Sequence, residues 1–443
     1  MTNKINYSKI LFFVLLPFSL FAQSSNTTLT LNQLIQLGLD SSKSLRISDA
    51  RLKFAQAKYD QAYDAALPSV RLNANYTRLS DIEEPKFLFP GASTPVALFP
   101  VYVNNYSVNL TASEVIFSGF RLKYAKESTD LLNQASKFDF EKDKQEIIFT
   151  LISSYFTIYK LEISSQIITD QLKQINERVR ETQLALDNGL ATQNDLLRWQ
   201  LQVSNLELTQ LDIQNNFQIA NFNLNLMLGL NENNKINVDT NEINKIQITN
   251  SLQSFLDLAA KNRSDLNSAQ SRSLASFNNY KIAKNSYLPR ISVQGELLDA
   301  RPNGRYIPPV DQFNSTWAAG ISFNWDLMNL YSNKHFVDEF QSIYSQSKDG
   351  VAILSDAIKS EVNQNYLSFL SALRKVEVMQ KAVNQSEENL RLTDSRHKNS
   401  LITLSELLES NTTFIQAKIN MALSKADVQI AYYKLLKSTG KIQ

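Results

Sequence analysis

Two kinds of hydrophobic pattern divide the chain. In the first kind, apolar positions step by four and three. Ile148, Ile152, Tyr155 and Tyr159 do so, as do Ile168, Leu172, Ile175 and Val179, and later Val362, Tyr366, Phe369, Leu373 and Val376. That narrow seam is close to heptad spacing and predicts long helices packed as coiled coils, not helices of a globular core. A single uninterrupted helix over 120–187 would be about 100 Å long at 1.5 Å per residue. In the second kind, apolar and polar positions alternate. Val70, Leu72, Ala74 and Tyr76 alternate with Arg71, Asn73, Asn75 and Thr77. The same holds for Tyr106 to Ser113, for Ile291 to Gln294, and for Trp317 to Asp326. These period-two segments predict strands over 68–79, 103–117, 289–298 and 316–328, each near the ~9–11 residues of a tilted membrane strand. One face is small and polar, suited to a watery lumen, and the other is apolar with aromatic ends, suited to lipid.

Proline placement supports the division. Beyond Pro17, the prolines fall at 68–100 and 289–309, and residues 101–288 and 310–443 contain none. Because proline inside a helix costs about 3 kcal/mol or more, the two proline-free tracts are free to be helical. Gly119, Gly189, Gly229 and Gly440 fall where those helices would begin or end.

The pattern is written twice. "NGLATQNDLL" at 188–197 returns as "NSLITLSELL" at 399–408: Asn188, Leu190 and Thr192 match Asn399, Leu401 and Thr403, and Asp195 matches Glu406. At the same offset Glu177, Arg180 and Gly229 match Glu388, Arg391 and Gly440, and earlier in the chain, at a longer offset, Leu67–Pro68 match Leu288–Pro289. A tandem duplication is therefore expected. The first repeat spans 23–230, with a long helix over 120–187 and a return helix over 192–229. A linker follows at 231–250. The second repeat spans 251–443, with helices over 332–398 and 403–440. The first half carries the longer hairpin loop, 80–104. Four strands per chain cannot close a barrel, and open edges in a bilayer cost several kcal/mol for each unpaired group. Three copies would supply twelve strands.

Composition narrows the partners. Residues 1–22 hold Lys4, Lys9, an apolar run from Ile10 to Phe21 and Ala22, the pattern of a secretory signal peptide. Without those two lysines, 43 basic residues face 43 acidic ones, with no basic tract, so nucleic acid is not expected as a partner. No run of 18 apolar residues follows the leader, which argues against a membrane helix but says nothing against a barrel. There is no cysteine, there are two histidines, and no phosphate-cradling glycine motif occurs, so neither catalysis nor a cofactor or metal is expected.

In this order, Leu67–Pro68 and Leu288–Pro289, Ile116–Phe117–Ser118–Gly119, the two helix turns, Leu228–Gly229 and Thr439–Gly440 resemble the TolC-like outer membrane efflux proteins over nearly the whole mature chain. The resemblance implies a fold and a function. The fold is an α+β homotrimer with a twelve-stranded outer membrane barrel, an α-helical periplasmic tunnel and a belt drawing on 231–250 and a helix near 30–44. The function is an exit duct fed by an inner-membrane RND or ABC transporter through a periplasmic adaptor. It places Asn188, Gly189, Leu190, Thr192, Asn399, Ser400, Leu401 and Thr403 at adaptor-contacting tips and Pro68 and Pro289 at helix-to-strand switches. Ser400 departs from the family's glycine, so that turn must form without a residue tolerant of positive φ. Glu406 and Glu409 share one helix face, and in a trimer would gather six carboxylates at the tunnel's narrow end. The family's tyrosine and arginine lock corresponds here to His397 and Ile402, which leaves a protonated His397 to pair with Asp195. The rival reading is a periplasmic coiled-coil adaptor or scaffold. The cargo is not legible in the chain.

Overall fold

The structure is a computed structural model that describes residues 27–81, 83–97, 101–238 and 251–442. The leader and 239–250 of the linker lie outside the described residues. The chain begins with a short strand, β1 (Thr27–Leu29), and helices α1 (Leu31–Ser41) and α2 (Lys43–Asp64). Then come β2 (Ser69–Arg78), the small hairpin β3 (Lys86–Phe87) and β4 (Val96–Ala97), and β5 (Asn104–Phe117). Helix α3 (Arg121–Asp187) runs 67 residues without a break and returns as α4 (Gln193–Leu228). After β6 (Ile236–Val238) the order is α5 (Leu252–Asn262), α6 (Ser264–Lys284), β7 (Arg290–Arg301) and β8 (Asn314–Asn324). A short turn of helix, α7 (Asn329–Ser332), precedes the 65-residue α8 (Lys334–Lys398) and the returning α9 (Leu404–Ser438).

Two strand ends differ from the sequence expectation by three residues or more. Strand β7 runs past 298 to Arg301, because Arg301 still pairs with Tyr106. Strand β8 stops at Asn324, not 328, because the chain turns there into α7 and the Trp325 indole N–H donates to the Tyr287 carbonyl at 2.9 Å.

β2, β5, β7 and β8 form one antiparallel sheet in that order, leaving β2 and β8 as unpaired edges. Register puts Leu72, Leu110, Leu297 and Trp317 in one row, with Val293–Ile321 and Ile291–Phe323 on the same face. Asn73, Asn109 and Thr316 lie on the other. Ile116 is the extra residue of a bulge between Val115 and Phe117, and beyond it the chain leaves the sheet for α3. Apolar side chains of the sheet are open to solvent in the single chain, Trp317 by 78% and Ile321 by 76%. Among the described residues nothing covers them.

Below the sheet the apolar seams of α3, α4, α8 and α9 pack together. One core joins Ile148, Leu151, Ile152, Tyr155 and Ile158 of α3 to Leu224 and Leu228 of α4, Leu34 of α1, and Ile236. Part of α3 is apolar and long enough to cross a membrane by composition; burial of these side chains in that core accounts for its character. β1 and β6 pair in parallel beside it. The start of the linker is held by asparagines of α4: Asn221 and Asn225 both donate to the Asn234 carbonyl at 2.7 Å, and the Ile236 N–H donates to Asn221 at 2.9 Å.

Both strands that follow a helix pair start directly after proline, at Ser69 after Pro68 and at Arg290 after Pro289. Proline biases the preceding residue away from helix, so each helix must end before it. The opposite change, strand to helix after β5, runs through Gly119 (φ 63°) and Phe120 (φ 61°). A Cβ on Gly119 would stand 2.8 Å from the Asn285 carbonyl oxygen and 2.9 Å from Leu288 Cβ, so glycine there is required by space as well as by φ.

Candidate functional site at the helix tips

The α3–α4 and α8–α9 turns have the same backbone design. In the first, Asn188 closes α3 and its side-chain amide donates to the Leu184 carbonyl at 2.7 Å. Gly189 adopts φ 70°, and the Leu190 N–H reaches back to Ala185 at 2.7 Å. In the second, Asn399 donates to Ser395 at 2.8 Å, Ser400 adopts φ 57°, and the Leu401 N–H donates to Arg396 at 2.9 Å. Each is a left-handed helix stop with a six-to-one backbone bond. Nothing lies within 4 Å of a Cβ built on Gly189, so that glycine serves the backbone angle alone. The stop leaves Leu190 83% and Leu401 72% exposed, as the apex of each hairpin.

Threonine restarts both helices. Thr192 Oγ1 accepts the Asp195 N–H at 3.2 Å, while Asp195 Oδ2 accepts from the Thr192 N–H at 3.1 Å and from its hydroxyl at 2.6 Å. Thr403 Oγ1 likewise accepts the Glu406 N–H at 3.4 Å and donates to Glu406 Oε1 at 3.1 Å. Asp195 thus completes a reciprocal capping box with Thr192, whereas Glu406 bonds only the hydroxyl of its cap, Thr403. The Thr192 hydrogen bonds are the chief reason that the Asp195 carboxyl is held below its ordinary value, with Arg198 and His397 adding to it.

His397 lies close enough to Asp195 for their charges to interact, yet no ion pair joins them among the described residues. The His397 ring instead faces the Ile402 carbonyl, Nδ1 to O 3.5 Å, across its own turn. Glu406 and Glu409 are both exposed on α9, on the side away from buried Leu404 and Leu407.

The sequence reading missed the contacts that tie one hairpin to the other. Arg178 of α3 donates to Asp394 of α8 at 2.8 Å, and Lys398 joins the same carboxylate at 2.7 Å. Arg198 of α4 bonds Ser405 of α9. Beneath them Trp199, Leu206, Leu404, Leu407 and Ile415 share a core with Ile168 and Ile175. Lys398 and Asp394 are neighbours on α8, but Arg178–Asp394 and Arg198–Ser405 join opposite halves of the chain, and no spacing or motif links them.

Known proteins share this architecture. VceC from Vibrio cholerae, an outer membrane protein, aligns with TM-score 0.78 and 18% identity, covering 93% of this chain and 96% of that one. The outer-membrane channel OprN aligns with TM-score 0.77 and 19% identity, covering 93% and 90%. The toxin and drug export protein A of Aggregatibacter actinomycetemcomitans is 21% identical over 347 residues, 75% of this chain and 74% of that protein. The outer membrane efflux protein family model matches twice, over residues 34–230 and 255–441. With the sheet, the paired long helices and the tips all inside those matches, the chain belongs to the outer membrane efflux protein family and is an outer membrane protein.

Proposed function

We propose that three copies of this chain close a twelve-stranded barrel in the outer membrane and a helical tunnel across the periplasm. The assembly passively conducts small molecules or secreted polypeptide delivered by an inner-membrane RND or ABC transporter and a periplasmic adaptor. The observation that carries the reading is the four-stranded sheet with two open edges and a bare apolar face, mounted on helices of roughly 100 Å. An open edge is tolerable in a bilayer only if another strand pairs with it, and the bare face is tolerable only in lipid. Two helical hairpins in one chain, joined by such a sheet, favour this duct over an adaptor or scaffold. A tandem duplication accounts for the repeated order of helices and strands.

The tips form the periplasmic gate on this reading. Leu190 and Leu401, each at an apex, meet the adaptor together with the turn residues Asn188, Gly189, Thr192, Asn399, Ser400 and Thr403. Glu406 and Glu409 ring the narrow end and attract cations. Arg178–Asp394 and Arg198–Ser405 fasten the two hairpins of each chain in the closed arrangement. A His397–Asp195 latch requires Asp195 to leave its cap on Thr192.

The test is direct. Outer membranes extracted in detergent should yield a heat-modifiable oligomer of three chains that forms pores in planar bilayers. Cation block of those pores should weaken in Glu406→Gln with Glu409→Gln. A monomer recovered from the soluble periplasmic fraction would sink the proposal.

A further inference from the structure

The loop between β7 and β8 does not continue outward from the strands. Glu296 lies five residues before the end of β7, roughly 16 Å down the strand at about 3.3 Å per residue. By register it shares the polar face with Asn109 and Thr316. Arg305, from the loop, nevertheless reaches it: Nη2 donates to Glu296 Oε2 at 2.6 Å and Nη1 donates to Thr316 Oγ1 at 3.1 Å. The second carboxylate oxygen of Glu296 accepts from Asn109 Nδ2 of β5 at 2.7 Å. Asn303 is fully buried; its amide donates to the Asn314 carbonyl at 2.7 Å and to Thr316 at 3.2 Å, and its oxygen accepts the Arg305 N–H at 2.9 Å. The base of the loop is anchored on the opposite face, where Arg301 pairs with Asp311 at 2.8 Å. The loop therefore turns back over the polar face and is fastened there by a charge-assisted hydrogen bond, the stronger kind.

We infer that this loop is an inward strap that narrows the outer mouth of the duct and sets an upper size for what passes, with Arg305–Glu296 as its fastening. The inference rests on the trimeric duct proposed above, in which the polar face lines the lumen. Three copies then bring three straps to one opening. The β2–β5 loop makes no side-chain tie to that face among the described residues, so the restriction belongs to the second half of the chain.

The chain has no cysteine, so Gln294→Cys, exposed on the polar face of β7 two residues below Glu296, puts a unique thiol behind the strap. Intact cells carrying the full-length protein are treated from outside with a small charged methanethiosulfonate, or with a maleimide on a long polyethylene glycol chain. Each variant is first checked for the heat-modifiable oligomer. The small reagent should react in every background. The polymer should react slowly with Gln294→Cys alone and up to about fivefold faster when Arg305→Ala is added, the factor expected for losing a partly exposed ion pair. Exchanging the charges, Arg305→Glu with Glu296→Arg, should restore protection. Equal polymer labelling with and without Arg305→Ala overturns the strap. Failure of the small reagent to label any outer-membrane-located variant overturns the duct reading, and the strap with it.

Discussion

Ser400 occupies the left-handed conformation that Gly189 occupies in the matching turn, and an L-residue with a Cβ loses roughly 1–2 kcal/mol there. Ser400→Gly should therefore stabilise the second tip by about 1 kcal/mol, and Gly189→Ala should weaken the first by a similar amount. Hydrogen exchange of the amides at 399–401 and 188–190 measures both. Asp195 provides a second test. Its carboxyl lies below the ordinary value of 3.8 in the folded tip, so its contribution is complete above that value and disappears as pH falls through the lower folded one. Asp195→Asn should loosen the tip at neutral pH, where the carboxylate contributes in full, and abolish the further loosening of the parent below about pH 4, read by exchange at residues 192–196. Any response between pH 5 and 8 then has another origin. Conductance of His397→Ala and the parent across that range decides whether it is the histidine.

At the level of elements, the long helices were legible because a four-and-three spacing persists over tens of residues without proline, and the strands because alternation survives in segments bounded by proline. The joints between hairpins were not legible. Asp394 receives Arg178 from α3, and an ion pair across two helices depends on axial rotation and stagger, which no single helix encodes. A partly exposed pair of this kind contributes about 0.2–1 kcal/mol. Asp394→Ala removes the cross-helix pair and should raise the open population of the tip by up to about fivefold, measured as mean conductance in planar bilayers. Unchanged conductance would remove this joint from the gate.

For the whole molecule, the two faces of the sheet should respond oppositely to charge. Ile321→Lys places an ammonium on the apolar face, where a barrel pays about 2–4 kcal/mol near the bilayer midplane. The neighbouring Ser322→Lys points to the polar face and should be nearly neutral. Outer membrane yield of assembled oligomer should fall for the first and hold for the second; equal yields would contradict a lipid-facing sheet.

Period, proline spacing and the repeated turns were sufficient to establish the long helices, the four strands and the two turns between paired helices, because each of these is set by local backbone preference and by which side of an element is apolar. Only the tertiary structure decided three things. Asp195 accepts the backbone N–H of its cap Thr192, while Glu406 accepts only the Thr403 hydroxyl. Arg178 and Asp394 join the two hairpins. Arg305 folds back onto Glu296. The first uses a geometry that a matching position alone does not reveal, and the last two bring together groups whose approach is set by packing and loop path.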